Sequence, residues 1–454
     1  MLESINPAND ELIASYEETS AEAIASAVTL ADRAFPAWRE LDFKSRAEAM
    51  GRAASLLEAG KAELAELMAA EMGQPLKQGR AEVEKCASAC RYYAENAARF
   101  LAPQPIETDA AKSYVAFPPL GVILAVMPWN FPLWQVFRFA APALMAGNAC
   151  LLKHASNVTG CALAIGRLLR EAGFPENLFT VLCVRAGAVE KVLERREVAA
   201  VTLTGSAAAG RAIAAQAGRL LKKSVLELGG SDPYVVLEDA EMESAVETCV
   251  ASRLINAGQS CIAAKRFIVV ESIRREFTER FVAAMRSKRM GSPLDADVDL
   301  GPMARRDLRE QLHAQVAESV RRGAKLLLGG EIPSGPGAYY PPTVLADVGP
   351  GMPAYEEETF GPVAAVIAAR DEADAIRIAN DSTFGLGSAI FTRDKARGER
   401  LAAESLEAGS CFVNALVRSD PRLPFGGIKE SGYGRELSAF GIREFVNVKT
   451  VYVR

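Results

Sequence analysis

Histidine is almost missing from this chain. His154 and His313 are the only two among 454 residues. Neither has a second histidine or a cysteine pair at ligand spacing, so no metal site is expected. Ser-His-Asp chemistry is poorly supplied for the same reason. Framework spacing of cysteine is absent too. The eight cysteines are scattered, and a chain this long needs no covalent staples. They read as reduced thiols of a cytoplasmic protein. Cys86 and Cys90 share a helical pattern and read as core. No apolar run approaches the ~20 residues of a membrane span; the longest, around Val122 to Met127, stops at Pro128. Met1 to Pro7 lacks the basic and apolar regions of a signal peptide. Positive charge is not in excess either. The 52 basic residues face 57 acidic ones, a formal net charge of −5, which argues against nucleic acid as a partner.

What remains is an ordinary globular composition, long enough for two or three domains. Residues 1 to 110 read mostly as helix. Thr19-Ser20-Ala21-Glu22 has capping-box spacing, with Thr19 as the expected N-cap. Helical patterns follow to Trp38, over Ser45 to Ala59, Lys61 to Met72 and Lys77 to Phe100. Ser113 to Phe117 alternates like an exposed strand. The rhythm then changes to five short apolar runs between helical patterns: Val122–Met127, Ala149–Lys153, Leu178–Cys183, Ala199–Thr204 and Ser224–Leu228. Runs without polar alternation suit strands buried on both faces of a parallel sheet. Such sheets bind ligands at the carboxyl ends of their strands. From about Pro233 a second α/β series begins, with strands expected at Phe267–Val270, Val363–Ile367, Ser388–Phe391 and Ser410–Asn414. The last run, Val446 to Val453, is β-rich, and the strand near Ser113 is its natural mate.

Several stretches carry chemistry. Asn256-Ala257-Gly258-Gln259-Ser260-Cys261 puts a cysteine, the best nucleophile among side chains, after a polar turn. Leu226-Glu227-Leu228-Gly229-Gly230 offers a lone carboxylate on a glycine-flanked turn. Trp129-Asn130 lies between Pro128 and Pro132, and an amide locked in a rigid turn is a good oxyanion donor. Thr204-Gly205-Ser206 with Gly210 opens a helix, where free N–H groups suit a phosphate. Lys153 and Ser156 end the second buried run. Glu358 to Pro362 and the loop Pro424-Phe425-Gly426-Gly427 complete the set. Each alone has a plainer reading as a turn, a cap or a solvated side chain.

In this order and combination they resemble the aldehyde dehydrogenase superfamily over essentially the whole chain. The resemblance implies a Rossmann-like cofactor domain (1–100 and 120–229), an α/β catalytic domain (230–430) and a small β oligomerisation element (101–119 and 431–454). It makes Cys261 the nucleophile, Asn130 an oxyanion donor and Glu227 the base that activates water against a thioester. Trp129, Lys153, Ser156, Gly205, Ser206, Gly210, Glu358 and Phe360 become cofactor contacts. Glu436 matches a position that assists proton movement near the thiol.

Many NAD-preferring members carry glutamate where this chain has Ser156. A carboxylate repels a 2′-phosphate and a hydroxyl can donate to it, so NADP is expected alongside NAD, with the balance tilting to NADP. The run Gly258 to Arg266 looks like the succinate-semialdehyde dehydrogenase branch. There Arg138 would pair with the substrate carboxylate, with Trp134, Ser260, Ser419 and Arg418 around it. Two departures stand out. Ile255 replaces a second arginine of some members, and Ala263 replaces a cysteine that can form an inactivating disulfide. The expected substrate is a carboxylated semialdehyde, succinate or glutarate, and the expected assembly a homodimer or homotetramer. Rival readings are a broad-specificity aldehyde dehydrogenase, a coenzyme A-acylating enzyme, and a non-catalytic binding protein on the same fold. Glu227 argues against the second, and the full set of Asn130, Glu227 and Cys261 against the third.

Overall fold

The computed structural model describes residues 1–454. Two parallel sheets dominate it. The first has Val122–Met127 near its centre, flanked by Ala149–His154 then Phe179–Val181 on one side, and by Val198–Thr204 then Lys223–Glu227 on the other. Strand order therefore reverses between Val122–Met127 and Val198–Thr204. A crevice opens at the carboxyl ends of such a pair, where the chain leaves in opposite directions. Asn130 follows the first of these strands and Gly205 the second. Gly432–Tyr433 closes one edge, antiparallel to Lys223–Glu227.

The second sheet runs 325–328, 343–346, 363–369, 266–270, 233–236, 387–391 and 410–413, parallel except for the first pair. Its middle strands are buried on both faces, as their unbroken apolar sequences require. It has a separate apolar core on each face. The first sheet instead shares one core with the N-terminal helices. Trp134–Ala146 is buried around its whole circumference, which marks a helix inside the core rather than on it. Trp38 secures it by donating its indole N–H to the Leu144 carbonyl at 2.9 Å.

A third sheet pairs the last strand, Lys449–Val453, antiparallel with Lys112–Ala116, which also pairs Gln104–Pro105. The expected mating thus occurs within one chain. The strand starts at Lys449 because Val446 is occupied in a bridge to Pro119. Tyr452 and Val453 are half exposed on it.

Two expectations for the N-terminus need correction. Residues 1–20 are a hairpin, Leu2–Ile5 with Leu12–Tyr16, not helix. Alternate burial of Leu2 and Ser4 is the strand period, too short in sequence to stand out beside the long helices. Ser20, not Thr19, caps the first helix, accepting from the Ala23 N–H at 3.2 Å. Thr19 is taken by a tertiary contact, its hydroxyl accepting from the Cys183 N–H at 3.1 Å.

Candidate active site

Before Cys261 the backbone makes an uncommon turn. Asn256, Ala257 and Gly258 all have left-handed conformations, with φ of 51°, 52° and 77°. Such a conformation costs roughly 1–2 kcal/mol for each non-glycine residue, so the surroundings must enforce it. Arg253, buried behind the turn, donates to the Gly258 carbonyl at 2.6 Å. The Asn256 N–H donates to the Gln78 side chain at 2.8 Å, and its Nδ2 to the Asn130 carbonyl at 2.5 Å. A Cβ on Gly258 would overlap the Gly361 carbonyl, which explains the glycine.

Asn130 is buried in the switch-point crevice. One N–H of its amide donates to the Gln259 carbonyl at 3.1 Å, and its Oδ1 accepts from Gln135 at 3.4 Å. An amide has two donor hydrogens, so one stays free on a side chain that cannot rotate. His154 braces the same turn. Its Nε2 donates to the Pro132 carbonyl at 2.8 Å and its Nδ1 accepts from the Ala155 N–H at 2.9 Å. Burial lowers its pKa to about 4, so the ring is neutral at pH 7.

Two cavities meet at Cys261. One, about 370 Å³, lies at the carboxyl ends of the first sheet against Trp129, Asn130, Gly205, Ser206, Glu358 and Phe360. The other, about 210 Å³, holds Lys85, Trp134, Arg138, Ser260, Ser419 and Arg418 in its wall. Cys261 and Gln135 line both. Burial pushes the thiol pKa up to about 12. Arg138 and Lys265 pull it down, while Glu358 and Glu227 push it further up. The resting sulfur is therefore a thiol.

Lys265 is fully buried beneath Cys261. Its ammonium donates to the carbonyls of Ser260 and Cys261 at 2.9 and 2.6 Å, and lies 3.4 Å from the Glu358 carboxylate. Glu358 in turn accepts from the Gly230 N–H at 3.0 Å. A Cβ on Gly229 would overlap that carboxylate. Phe360 packs edge-on against Trp129, ring centroids 5.7 Å apart.

Glu227 ends strand Lys223–Glu227, buried, with neither carboxyl oxygen hydrogen-bonded. Burial raises its pKa well above the usual carboxylate range. The Arg138 guanidinium opposes the shift and the Glu436 carboxyl adds to it. Arg138 itself forms a buried ion pair with Glu436, donates to Thr204 Oγ1 at 3.1 Å, and stacks over Phe425. One guanidinium thus serves two buried carboxyls. Like charges are costly together there, and burial pushes both carboxyls up.

The structure brings together Cys261, Asn130, Glu358, Phe360 and Trp129, and separately Arg138, Trp134, Ser260 and Ser419. Three expected cofactor contacts do not line the larger cavity itself. Lys153 and Ser156 follow at the end of Ala149–His154, outside the cavity wall, and neither side chain has a hydrogen-bond or ion-pair partner. Gly210 lets helix Ala207–Arg219 approach Leu228, whose side chain a Cβ would overlap. Two donors expected for a phosphate are also engaged. The Gly205 N–H donates to the Glu227 carbonyl at 3.0 Å, and Ser206 caps the helix through the Ala209 N–H at 3.3 Å. The open N–H groups belong to Ala207 and Ala208, the first two residues of that helix. Lys85, Lys265 and His154 are the functional neighbours that sequence reasoning missed.

A thiol shared by a dinucleotide-type crevice and a separate small-molecule cavity defines a dehydrogenase with a cysteine nucleophile. The chain belongs to the aldehyde dehydrogenase family, whose family model matches residues 1–451. It is 50% identical over 449 residues to the NAD(P)+-dependent succinate semialdehyde dehydrogenase Sad of Escherichia coli (strain K12), covering 99% of this chain and 97% of that one. It is 47% identical over 450 residues to the probable NADP+-dependent succinate-semialdehyde dehydrogenase of Synechocystis sp., covering 99% of each. Among solved structures, the succinic semialdehyde dehydrogenase of Streptococcus pyogenes in complex with NADP+ superposes with a TM-score of 0.98 at 36% identity, covering all of both chains.

Proposed function

We propose that this chain oxidises a short carboxylated aldehyde, succinate semialdehyde to succinate, with NAD(P)+. The observation that carries the reading is the position of Cys261, whose side chain faces both the switch-point crevice and the smaller cavity with its buried cations. The Cys261 thiol gives its proton to the Glu227 carboxylate, which passes it to solvent, as the sulfur adds to the aldehyde carbon; the oxygen that gains charge is held by the free Nδ2–H of Asn130 and by the Cys261 N–H. Trp129, Lys153, Ser156, the helix start from Gly205 to Gly210, Glu358 and Phe360 would hold the cofactor. A bound nicotinamide would supply the hydride acceptor for oxidation of the sulfur adduct to a thioester. Glu227 takes a proton from water as the water oxygen attacks the thioester carbon, and the acid leaves as Cys261 regains its thiol. Hydrolysis by Glu227 distinguishes this route from transfer to coenzyme A.

The exposed Ser156 hydroxyl favours NADP over NAD. The cofactor residues (1–100 and 120–229), the catalytic residues (230–430) and the bridging β element (101–119 and 431–454) act as three units in a cytoplasmic homodimer or homotetramer. The test is a kcat/KM panel over succinate semialdehyde, glutarate semialdehyde and neutral aldehydes with both cofactors. The reading expects a carboxylated aldehyde to lead and the product to be the free acid. Preference for neutral aldehydes, or an acyl-coenzyme A product when coenzyme A is added, would overturn it.

A further inference from the structure

The turn that carries Asn130 is held by its carbonyls. It runs from Pro128 to Pro132, between strand Val122–Met127 and helix Trp134–Ala146. Its prolines have no N–H to donate, and the N–H groups of Trp129, Asn130 and Phe131 make no hydrogen bond within the protein. The Asn130 carbonyl accepts from Asn256 Nδ2 at 2.5 Å, on the turn before Cys261. The Phe131 carbonyl accepts from the Gln135 N–H at 3.1 Å, at the start of the helix. The helix passes over the Pro132 carbonyl, because the next N–H, that of Val136, goes to Leu133. His154 takes it instead, at 2.8 Å.

His154 ends strand Ala149–His154, in register with Met127 of the neighbouring strand. It is one of the chain's two histidines and is buried. Both ring nitrogens are engaged. The Ala155 N–H, where the chain leaves the strand, donates to Nδ1 at 2.9 Å. The Met127 carbonyl lies farther from Nδ1, at 3.3 Å. Nδ1 is thus the acceptor, and the ring proton sits on Nε2, facing Pro132. A single tautomer joins the end of one strand to the turn that follows the next. Of the carbonyl ties on this turn, it alone runs back to the sheet. The Asn130 amide depends on such support, since the bond from Gln135 to its Oδ1 is long and weak at 3.4 Å.

We propose that His154 is a positioning residue for the reaction: by gripping the Pro132 carbonyl it holds the turn where the Asn130 amide meets the aldehyde oxygen. This inference rests on the proposed role of Asn130 as oxyanion donor and names the group that aims it. Such a donor acts on developing charge only if it is already in place. A displacement of about 1 Å can slow the chemical step about 10²-fold.

The test compares two amides that each copy one ring nitrogen. In His154→Gln, Nε2 can still reach the Pro132 carbonyl. In His154→Asn, Oδ1 can accept from Ala155, but the side chain stops short of Pro132. The readout is the single-turnover rate of reduced-cofactor formation with succinate semialdehyde and NADP+, followed by the absorbance of the reduced nicotinamide. His154→Asn should be slower than wild type by at least about 10-fold, a part of the loss expected on removing the donor outright. His154→Gln should stay closer to wild type. In an Asn130→Ala background, His154→Asn should have little further effect, because the group being aimed is gone. Iodoacetamide should alkylate Cys261 at the wild-type rate in both His154 variants, as the rest of the site is formed. Equal rates for the two amides, an undiminished loss in the Asn130→Ala background, or slowed alkylation would overturn the role of His154 and leave that of Asn130 standing. An Asn130→Ala enzyme as fast as wild type would overturn the oxyanion reading, and the role of His154 with it.

Discussion

The Lys265 ammonium donates to the carbonyl of Cys261 at 2.6 Å, and it also faces Glu358. One buried cation therefore holds the Cys261 backbone and a side chain in the wall of the larger cavity. It is also one of the two cations that favour the thiolate. In Lys265→Met, iodoacetamide should alkylate Cys261 more slowly at pH 8, because the thiol loses a neighbour that pulls its pKa down. Two carbonyls would lose their shared donor, at a cost of about 1–3 kcal/mol each, visible as a lower Tm. Unchanged alkylation would show that Lys265 acts on structure alone.

Asn130→Ala should lower kcat by on the order of 10²–10³, the usual loss for one oxyanion donor, without loss of fold. The Asn130 carbonyl, which anchors Asn256, belongs to the backbone and survives the substitution. Circular dichroism and steady-state rates check this together. Cys261→Ala should show no aldehyde oxidation.

Glu227→Gln should release one equivalent of reduced cofactor and then stall, with acyl-enzyme visible by mass spectrometry. Steady turnover at the normal rate would remove Glu227 from the deacylation step.

The Glu227 carboxyl must be ionised to accept a proton from water, and burial with Glu436 nearby raises its pKa. Thioester decay should therefore speed up as pH rises. Glu436→Gln removes the opposing carboxylate and frees Arg138 to favour the Glu227 anion. The rising limb should move to lower pH in this variant. Rapid-quench measurement of decay from pH 5 to 9 checks the direction. A limb that stays or moves upward contradicts the coupling.

Ser156→Glu should shift the kcat/KM ratio of NADP to NAD toward NAD by at least about tenfold, since like charges in contact cost several kcal/mol. A ratio that does not move would show that the exposed Ser156 hydroxyl lies away from the ribose.

Much of this was legible in the sequence because the informative residues sit where strand meets turn. Unbroken apolar runs marked the buried strands; Asn130 and Gly205 follow two of them and Glu227 ends a third. Lys85 and Lys265 left no such mark. Lys85 lies on a long amphipathic helix, where a lysine reads as solvated, and only the packing of Trp134 and Ser419 against it turns it inward. Lys265 precedes a buried strand, and its role depends on carbonyls whose direction is set by the left-handed turn. That turn was foreseen at Gly258 but not at Asn256 and Ala257, whose conformation is imposed by Gln78, Asn130 and Arg253. Arg138 was singled out as a charge in an apolar helix and expected to pair with a substrate carboxylate; in the structure it pairs with Glu436. Its partner Glu436 is about 300 residues away in the chain, a distance that periodicity and local motifs do not bridge.

The two cavities touch only through the wall that holds Cys261 and Gln135. Traffic at this centre is therefore two-sided. With the proposed assignment of the dinucleotide to the larger cavity and the aldehyde to the smaller, each enters by its own cavity and neither must vacate for the other. The finished acid can leave by its own exit while the reduced dinucleotide is still seated. A sequential kinetic scheme follows, with initial-rate lines that intersect rather than run parallel, and with the acid competing against the aldehyde but not against the dinucleotide.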